Sequence, residues 1–145
     1  VEIKWPNDLI IRNKKISGML VEQIKHNQKE YYIFGVGINI MQKNFDGLSS
    51  AGSLFTQTGL SLELHVVAQQ LYDFLVENLM VENISDVLAE FNQFLYRKKK
   101  ISVFEIQNSR QNGIIQSVDS EGYLWVDLEN DGLKKFTYKE LKLLY

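Results

Sequence analysis

The sequence contains no cysteine and a single proline among its 145 residues. Without cysteine, disulfides, thiolate zinc sites and a cysteine nucleophile are all excluded. No apolar run approaches the ~20 residues of a membrane span, and no signal peptide is visible. Lysine and arginine (16) nearly balance aspartate and glutamate (18), and a net charge of −2 offers no basic surface to nucleic acid. We therefore expect a cytoplasmic protein that contacts neither membranes nor nucleic acid.

The remaining composition, 45% hydrophobic and 23% charged, is that of an ordinary globular domain with at most a small appendage. The first five residues alternate apolar and charged side chains, the period of a half-buried strand. Short connections favour antiparallel pairing of such runs. The sequence therefore predicts an antiparallel meander with strands near 1–5, 9–12, 16–24 and 31–40.

The sequence of the middle of the chain predicts a loop followed by two helices. Residues 41–60 are rich in Gly, Ser and Asn, so they form either a functional loop or a simple surface connection. One helix is expected after a Ser61 cap and another after a cap at Asn83 or Ser85. Each carries an apolar stripe, which we expect to lie in the core. The stripes are Leu62, Val66, Val67, Leu71, Phe74 and Leu75, then Ile84, Val87, Leu88, Phe91, Phe94 and Leu95.

Residues 101–145 consist of short runs typical of β-strands, with the turn sequences DSEG and ENDG between some of them. Some 45 residues of this kind suggest a small SH3-like barrel. The RKKK segment before it is interpreted as the solvated end of a helix, with nucleic-acid binding as the weaker alternative. We predict two domains, 1–98 and 99–145.

Three stretches carry polar groups that could bind a ligand. In KWPND, proline presets the turn, so that the lysine, amide and carboxylate arrive pre-organised, although the same residues make a good structural turn. In KKISG, Lys15 and Gly18 fall on opposite faces of a regular strand, so a shared ligand requires a bulge or a contact at the start of the strand. Alone, Lys15 is typical of an exposed hairpin lysine. His26 and His65 have no partners at metal-ligand spacing.

The third stretch, YYIFGVGINI, places Ile33, Gly35, Gly37 and Asn39 on one face. Glycines within a strand mark the close approach of a ligand or of another backbone, so a bulge or helix packing is the alternative. The amide of Asn39 suits a nucleobase edge or a ribose. The opposite face is expected to be core: Phe34, Val36, Ile38 and Ile40.

The order KWPND, then KISGMLVE, then GVGIN resembles the signature of biotin protein ligases, and the loop, helices and terminal barrel extend the resemblance over essentially the whole chain. The related lipoate ligases share the core fold. The resemblance implies an α+β fold, in which a meander with two helices forms part of a class II aminoacyl-tRNA synthetase/biotin ligase-like fold and precedes an SH3-like barrel.

The resemblance also implies an activity. Such ligases join biotin to ATP as biotinoyl-5′-AMP and transfer the biotinoyl group to a lysine of a biotin carboxyl carrier protein, typically on acetyl-CoA carboxylase. ATP and Mg²⁺ would act as substrate and ion, with no tightly bound cofactor and no protein-bound metal. The exposed strand edges make a homodimer plausible.

By position in the motif, Lys15 matches the lysine that contacts the biotin carboxylate and the adenylate phosphate. Fixed positive charge there would stabilise the crowded anionic transition state, so Lys15 is the implied catalytic residue. Asn39 matches the asparagine on the adenine or ribose side. The remaining implied contacts come from the turn and two glycines: Lys4, Asn7, Asp8, Gly18 and Gly37.

The sequence departs from the family pattern at two places. A biotin-recognition segment and a glycine/arginine-rich loop usually precede KWPND, whereas this sequence starts at Val1, so we expect the 145 residues alone to be inactive and to bind biotin weakly or not at all. Lys139 stands where the barrel usually has glycine. The alternative functions are a lipoate-type acyl ligase and a non-catalytic protein-binding module.

Overall fold

The structure, a computed structural model, describes residues 1–79 and 83–144. Its strands are β1 (Glu2–Lys4), β2 (Asp8–Ile11), β3 (Lys14–His26), β4 (Lys29–Ile38), β5 (Ile101–Ile106), β6 (Ser109–Val118), β7 (Leu124–Leu128), β8 (Gly132–Phe136) and β9 (Lys142–Leu144). Its helices are α1 (Leu54–Thr58), α2 (Leu64–Asn78) and α3 (Ile84–Gln93). The predicted α+β class is confirmed.

The chain forms two compact units. The first comprises residue 1 and residues 7–78, and the second comprises residues 2–6 with the described part of 79–145. The division into domains at residue 98 stays a prediction. None of the helices in the described residues is long and apolar enough to cross a bilayer.

In the first unit, β2, β3 and β4 are antiparallel neighbours in that order. Both connecting hairpins have two central residues with positive φ, Arg12 and Asn13 in one and Asn27 and Gln28 in the other. Such backbone angles match the twist of a two-residue hairpin turn. The meander predicted from the short connections is therefore confirmed for these strands.

The predicted loop contains α1. Ser53 caps this helix: its hydroxyl accepts from the N–H of Thr56, and the Thr56 side chain accepts from the N–H of Ser53. The third helix begins after Asn83, which was one of the two predicted caps. In contrast, α2 begins at Leu64, beyond the predicted cap at Ser61.

Two predictions of burial were wrong. No residue of α2 is buried, and Phe74 on its apolar stripe is 62% exposed. On β4, Phe34 is 43% exposed and Val36 is also exposed, whereas Ile40 beyond the strand is buried. Periodicity identifies which residues share a face, but burial requires an opposing surface that periodicity does not specify.

The second unit has a well-defined core. Its five-stranded antiparallel sheet has the order β8-β7-β6-β5-β9, and closure into a barrel stays a prediction. Trp5, Leu88 and Phe91 pack partly buried against this core, and Leu95 lies within it, so the predicted stripe was correct at Leu88, Phe91 and Leu95. Ile84, Val87 and Phe94 of the same stripe are exposed. The buried cluster is Leu95, Phe104, Ile115, Val118, Leu124, Val126, Leu128 and Phe136.

Lys139, the departure from the family pattern, has a φ of 76°. An L residue is strained in this left-handed region, whereas glycine adopts it freely. The structure thus explains why a glycine suits this position of the turn. Tyr145, which ends the last predicted strand, lies outside the described residues.

Asp119 organises the turn between β6 and β7. The indole N–H of Trp125 donates to its carboxylate at 2.7 Å, and the backbone N–H groups of Glu121 and Tyr123 donate to the other oxygen. The Trp125 hydrogen bond is the main cause that lowers the pKa of Asp119 below its ordinary 3.8. The ionised form is therefore favoured by folding.

We expect this carboxylate to stabilise the protein above pH ~3.8 and to lose that contribution as pH falls through its lowered pKa. The measurement is the free energy of unfolding of wild type and Asp119→Asn between pH 2 and 7. The difference in free energy of unfolding between wild type and Asp119→Asn should be constant near neutral pH and should decrease in acid. Trp125→Phe, which removes the main donor, should reduce the effect, and a difference that does not vary with pH would contradict the prediction.

Candidate functional site

The candidate site lies in the first unit, where three strands present one row of residues. Asp8 of β2 pairs with Gly18 of β3, and Gly18 pairs with Gly37 of β4. Residues paired across an antiparallel sheet point to the same face. Two of the three positions therefore have no side chain, and they leave a clearing on the sheet beside the Asp8 carboxylate.

A β-bulge brings Lys15 to this clearing. Leu9 pairs with Ser17 but Ile10 pairs with Lys15, so Ile16 is an extra residue in β3. A bulge of this kind re-aims the neighbouring side chains. The Lys15 ammonium consequently lies 3.1 Å from where a Cβ of Gly18 would stand. This bulge is one of the two arrangements by which the sequence allowed Lys15 and Gly18 to share a ligand.

Lys15 is held by a carboxylate at the edge of the clearing. Its ammonium lies 2.6 Å from Asp8 Oδ1, with the Asp8 side chain 18% exposed and the Lys15 side chain 46% exposed. A side chain at Gly18 would stand 3.0 Å from the same carboxylate oxygen. Glycine at this position therefore keeps space around an accessible ammonium group.

The other predicted residues have different surroundings. The side-chain amide of Asn7 donates to Met19 O, and the N–H of Met19 donates to Asn7 O at 3.0 Å. Asn7 thus ties the turn to β3. Lys4 ends β1 in the second unit, and its part in this site stays a prediction.

The Asn39 amide donates to Gly52 O at 2.9 Å. Its backbone N–H donates to the carbonyl of the bulged Ile16 at 2.8 Å. Asn39 therefore connects the end of β4 to the segment around Gly52, in which the sequence analysis predicted no site residue.

That segment lies inside the predicted loop. The Lys14 ammonium donates to Ser49 O, and Ser53 is fully buried, with its hydroxyl 2.6 Å from Gln42 O. A serine with a hydroxyl residue three positions later, as in Ser53 and Thr56, is close to a capping-box pattern and was the available sequence signal.

Within residues 1–79 and 83–144, no group of three His, Asp or Glu side chains could hold a metal ion.

Comparison with known proteins finds matches to biotin and lipoate protein ligases. A family model described as the Biotin/lipoate A/B protein ligase family matches residues 1–39.

 All seven predicted site residues, from Lys4 to Asn39, therefore lie within the matched range.

Curated relatives from two bacteria are similar to this chain in sequence. The bifunctional ligase/repressor BirA of Salmonella typhimurium is 28% identical over 144 residues, which cover 93% of this chain and 43% of the relative. BirA of Bacillus subtilis is 25% identical over 150 residues, covering 98% and 46%. The chain thus spans less than half the length of the curated relatives it matches.

Solved structures match the fold. The biotin protein ligase from Aquifex aeolicus in complex with biotin and ATP has a TM-score of 0.78 at 22% identity, covering 99% of this chain and 61% of that one. The biotin protein ligase from Leishmania major in complex with biotinyl-5-AMP has a TM-score of 0.57 at 23% identity, covering 94% and 56%. The resemblance to biotin protein ligases that the motifs indicated is confirmed.

Proposed function

We propose that this chain supplies part of the active site of a biotin–carrier-protein ligase. The observation that carries the proposal is the ammonium of Lys15 at the edge of the Asp8–Gly18–Gly37 row, inside the range that the ligase family model matches. A clearing with a fixed cation suits a flat ligand that carries an anionic centre. Biotinoyl-5′-AMP, with its phosphate between two ring systems, is such a ligand.

In the first step, a carboxylate oxygen of biotin attacks the α-phosphorus of ATP. A C–O–P mixed anhydride forms, the bond from the α-phosphorus to the bridging oxygen breaks, and pyrophosphate leaves. Two anions approach each other in this step, so a cation aimed at the phosphoryl oxygens helps most in the transition state. Lys15 is assigned this electrostatic role, and it exchanges its contact with Asp8 for the reacting oxygens.

Mg²⁺ belongs to the nucleotide in this proposal. Phosphate oxygens are the hard ligands that this ion prefers, and when bound it screens their charge. Asn7 and Asp8 border the adenylate, Asn39 contributes on the adenine or ribose side, and Lys4 keeps the adenylate contact that the motif implies.

In the second step, the neutral amine of an acceptor lysine attacks the acyl carbon of the adenylate. The C–O bond to AMP breaks, AMP leaves, and the nitrogen loses a proton as the amide forms. The acceptor is a lysine of a biotin carboxyl carrier protein. Lys15 stabilises the departing phosphate by the same electrostatic argument.

A lipoate-type ligase is the second candidate, because the matching family model covers biotin and lipoate ligases together. The two are separated by exchange of labelled pyrophosphate into ATP, catalysed by the complete protein with biotin, lipoate or no acid. We expect exchange that depends on biotin. Exchange with lipoate alone would establish the second candidate, and no acid-dependent exchange would contradict both.

Transfer is then measured with a carrier domain as acceptor. We expect biotin to be attached to one lysine of the wild-type carrier, and no attachment when that lysine is replaced by arginine. Adenylate formation without transfer to any carrier would contradict the assigned acceptor.

A further inference from the structure

A short segment, Ser50–Gly52, runs alongside Lys15 as a parallel partner. The backbone N–H of Lys15 donates to Ser50 O at 2.7 Å, and the N–H of Gly52 donates to Lys15 O at 2.9 Å. Lys15 and Ala51 form a parallel bridge between these two bonds. The backbone of the proposed catalytic lysine is thus held on both of its polar groups by a stretch about 35 residues further along the chain.

Gly52 permits this close approach. A Cβ at Gly52 would stand 2.8 Å from Lys14 Cβ and 2.9 Å from Gln57 Nε2. The end of the Gln57 side chain can move, but Lys14 Cβ moves only with the backbone beside Lys15. Any side chain at residue 52 therefore displaces either the segment or the start of β3.

The segment is anchored at its C-terminal end. The Asn39 side chain donates to Gly52 O, while the N–H of Leu54 donates to Asn39 O at 2.9 Å. The buried Ser53 follows directly and bonds to Gln42 O. Two polar contacts from Asn39 and one from Ser53 thus hold the segment against the end of β4.

We propose that Ser50–Gly52 is the positioning element for Lys15 and that Gly52 and Asn39 are positioning residues of the adenylation reaction. This inference rests on the proposed ligase function. A lysine side chain is flexible, so the location of its ammonium depends on where its backbone is held. Displacement of a catalytic group by 1 Å costs on the order of 10²-fold in rate. Asn39 acts through the carbonyl of Gly52, besides its proposed contact with the adenine or ribose.

The test is a double-mutant cycle in the complete protein, with biotin-dependent adenylate formation as the readout. We expect Gly52→Ala to lower kcat about 10- to 100-fold, with a smaller change in the KM for ATP. In a Lys15→Ala background the same substitution should lower kcat by less than ~3-fold, because a positioning residue has nothing left to position. A residue that only supports the fold would cost the same factor in both backgrounds.

Gly35→Ala is the matched control. It adds the same methyl group within the same unit, on β4, where the new Cβ would meet Leu20 at an ordinary 3.9 Å. We expect it to keep wild-type kcat. If Gly52→Ala does not fold, Asn39→Asp is measured in the same cycle, since it replaces the amide donor to Gly52 O with a carboxylate oxygen.

Two results overturn the positioning role in an active protein: wild-type kcat in Gly52→Ala, or an equal loss with and without Lys15. A wild-type protein without acid-dependent exchange overturns the ligase function, and the positioning role falls with it. The two failures are therefore distinguished by the activity of the wild type.

Discussion

Lys15→Ala in the complete protein is expected to lower the rate of biotin-dependent adenylate formation about 10²-fold, the usual cost of removing one fixed electrostatic contact to a transition state. The Lys15 ammonium is the cation at the edge of the site, 2.6 Å from Asp8. Its side chain is nearly half exposed, and ion pairs of that kind contribute only about 0–1 kcal/mol to stability. The loss of rate should therefore occur without a loss of fold.

The measurement is the single-turnover rate of biotinoyl-5′-AMP formation, together with the midpoint of thermal unfolding. Lys25→Ala is the control, because Lys25 is a second lysine of β3 in an ion pair, with Glu30 at 2.9 Å. We expect Lys25→Ala to leave the rate unchanged. An unchanged rate in Lys15→Ala would instead favour the non-catalytic binding module.

Phe104→Ala is expected to destabilise the second unit by about 3–5 kcal/mol, the range for removing a fully buried phenylalanine. Phe104 is completely buried on β5, where it packs within the cluster that includes Leu95 and Phe136. The substitution removes apolar contacts and leaves a cavity that the neighbouring strands fill only partly.

Urea unfolding followed by circular dichroism measures this cost. Ile101→Ala on the same strand is the control, because Ile101 is 71% exposed. We expect the control to change the free energy of unfolding by less than about 0.5 kcal/mol. A loss below about 1 kcal/mol in Phe104→Ala would show that the cluster around Phe104 is not the core of this unit.

Local features of this fold could be predicted from neighbouring residues. The alternation in residues 1–40 indicated the strands, and the tight connection at Arg12 and Asn13 indicated an antiparallel hairpin. The cap at Asn83 was predicted as one of two alternatives. Each of these signals acts over a few residues, so the chain need not be folded for it to be interpreted.

The candidate site was only partly predictable. The motif order identified Lys15, Gly18 and Gly37, and strand alternation showed that either a bulge or a contact at the start of the strand was needed to bring Lys15 and Gly18 to one ligand. The alignment of Asp8, Gly18 and Gly37 in one row depends on the register of three strands. Register is decided by hydrogen bonds between segments, which no single stretch of sequence contains.

What the sequence alone determined is therefore the identity of the strands, the chemistry of the motif residues and the family they resemble. Only the tertiary structure decided that Ile16 is the bulged residue, that Asn39 and Gly52 meet, and that Ser50–Gly52 lies against Lys15. It also decided that no residue of α2 is buried. The physical reason is common to all of these: each depends on which distant surface or backbone group comes opposite, and a local pattern does not specify its partner.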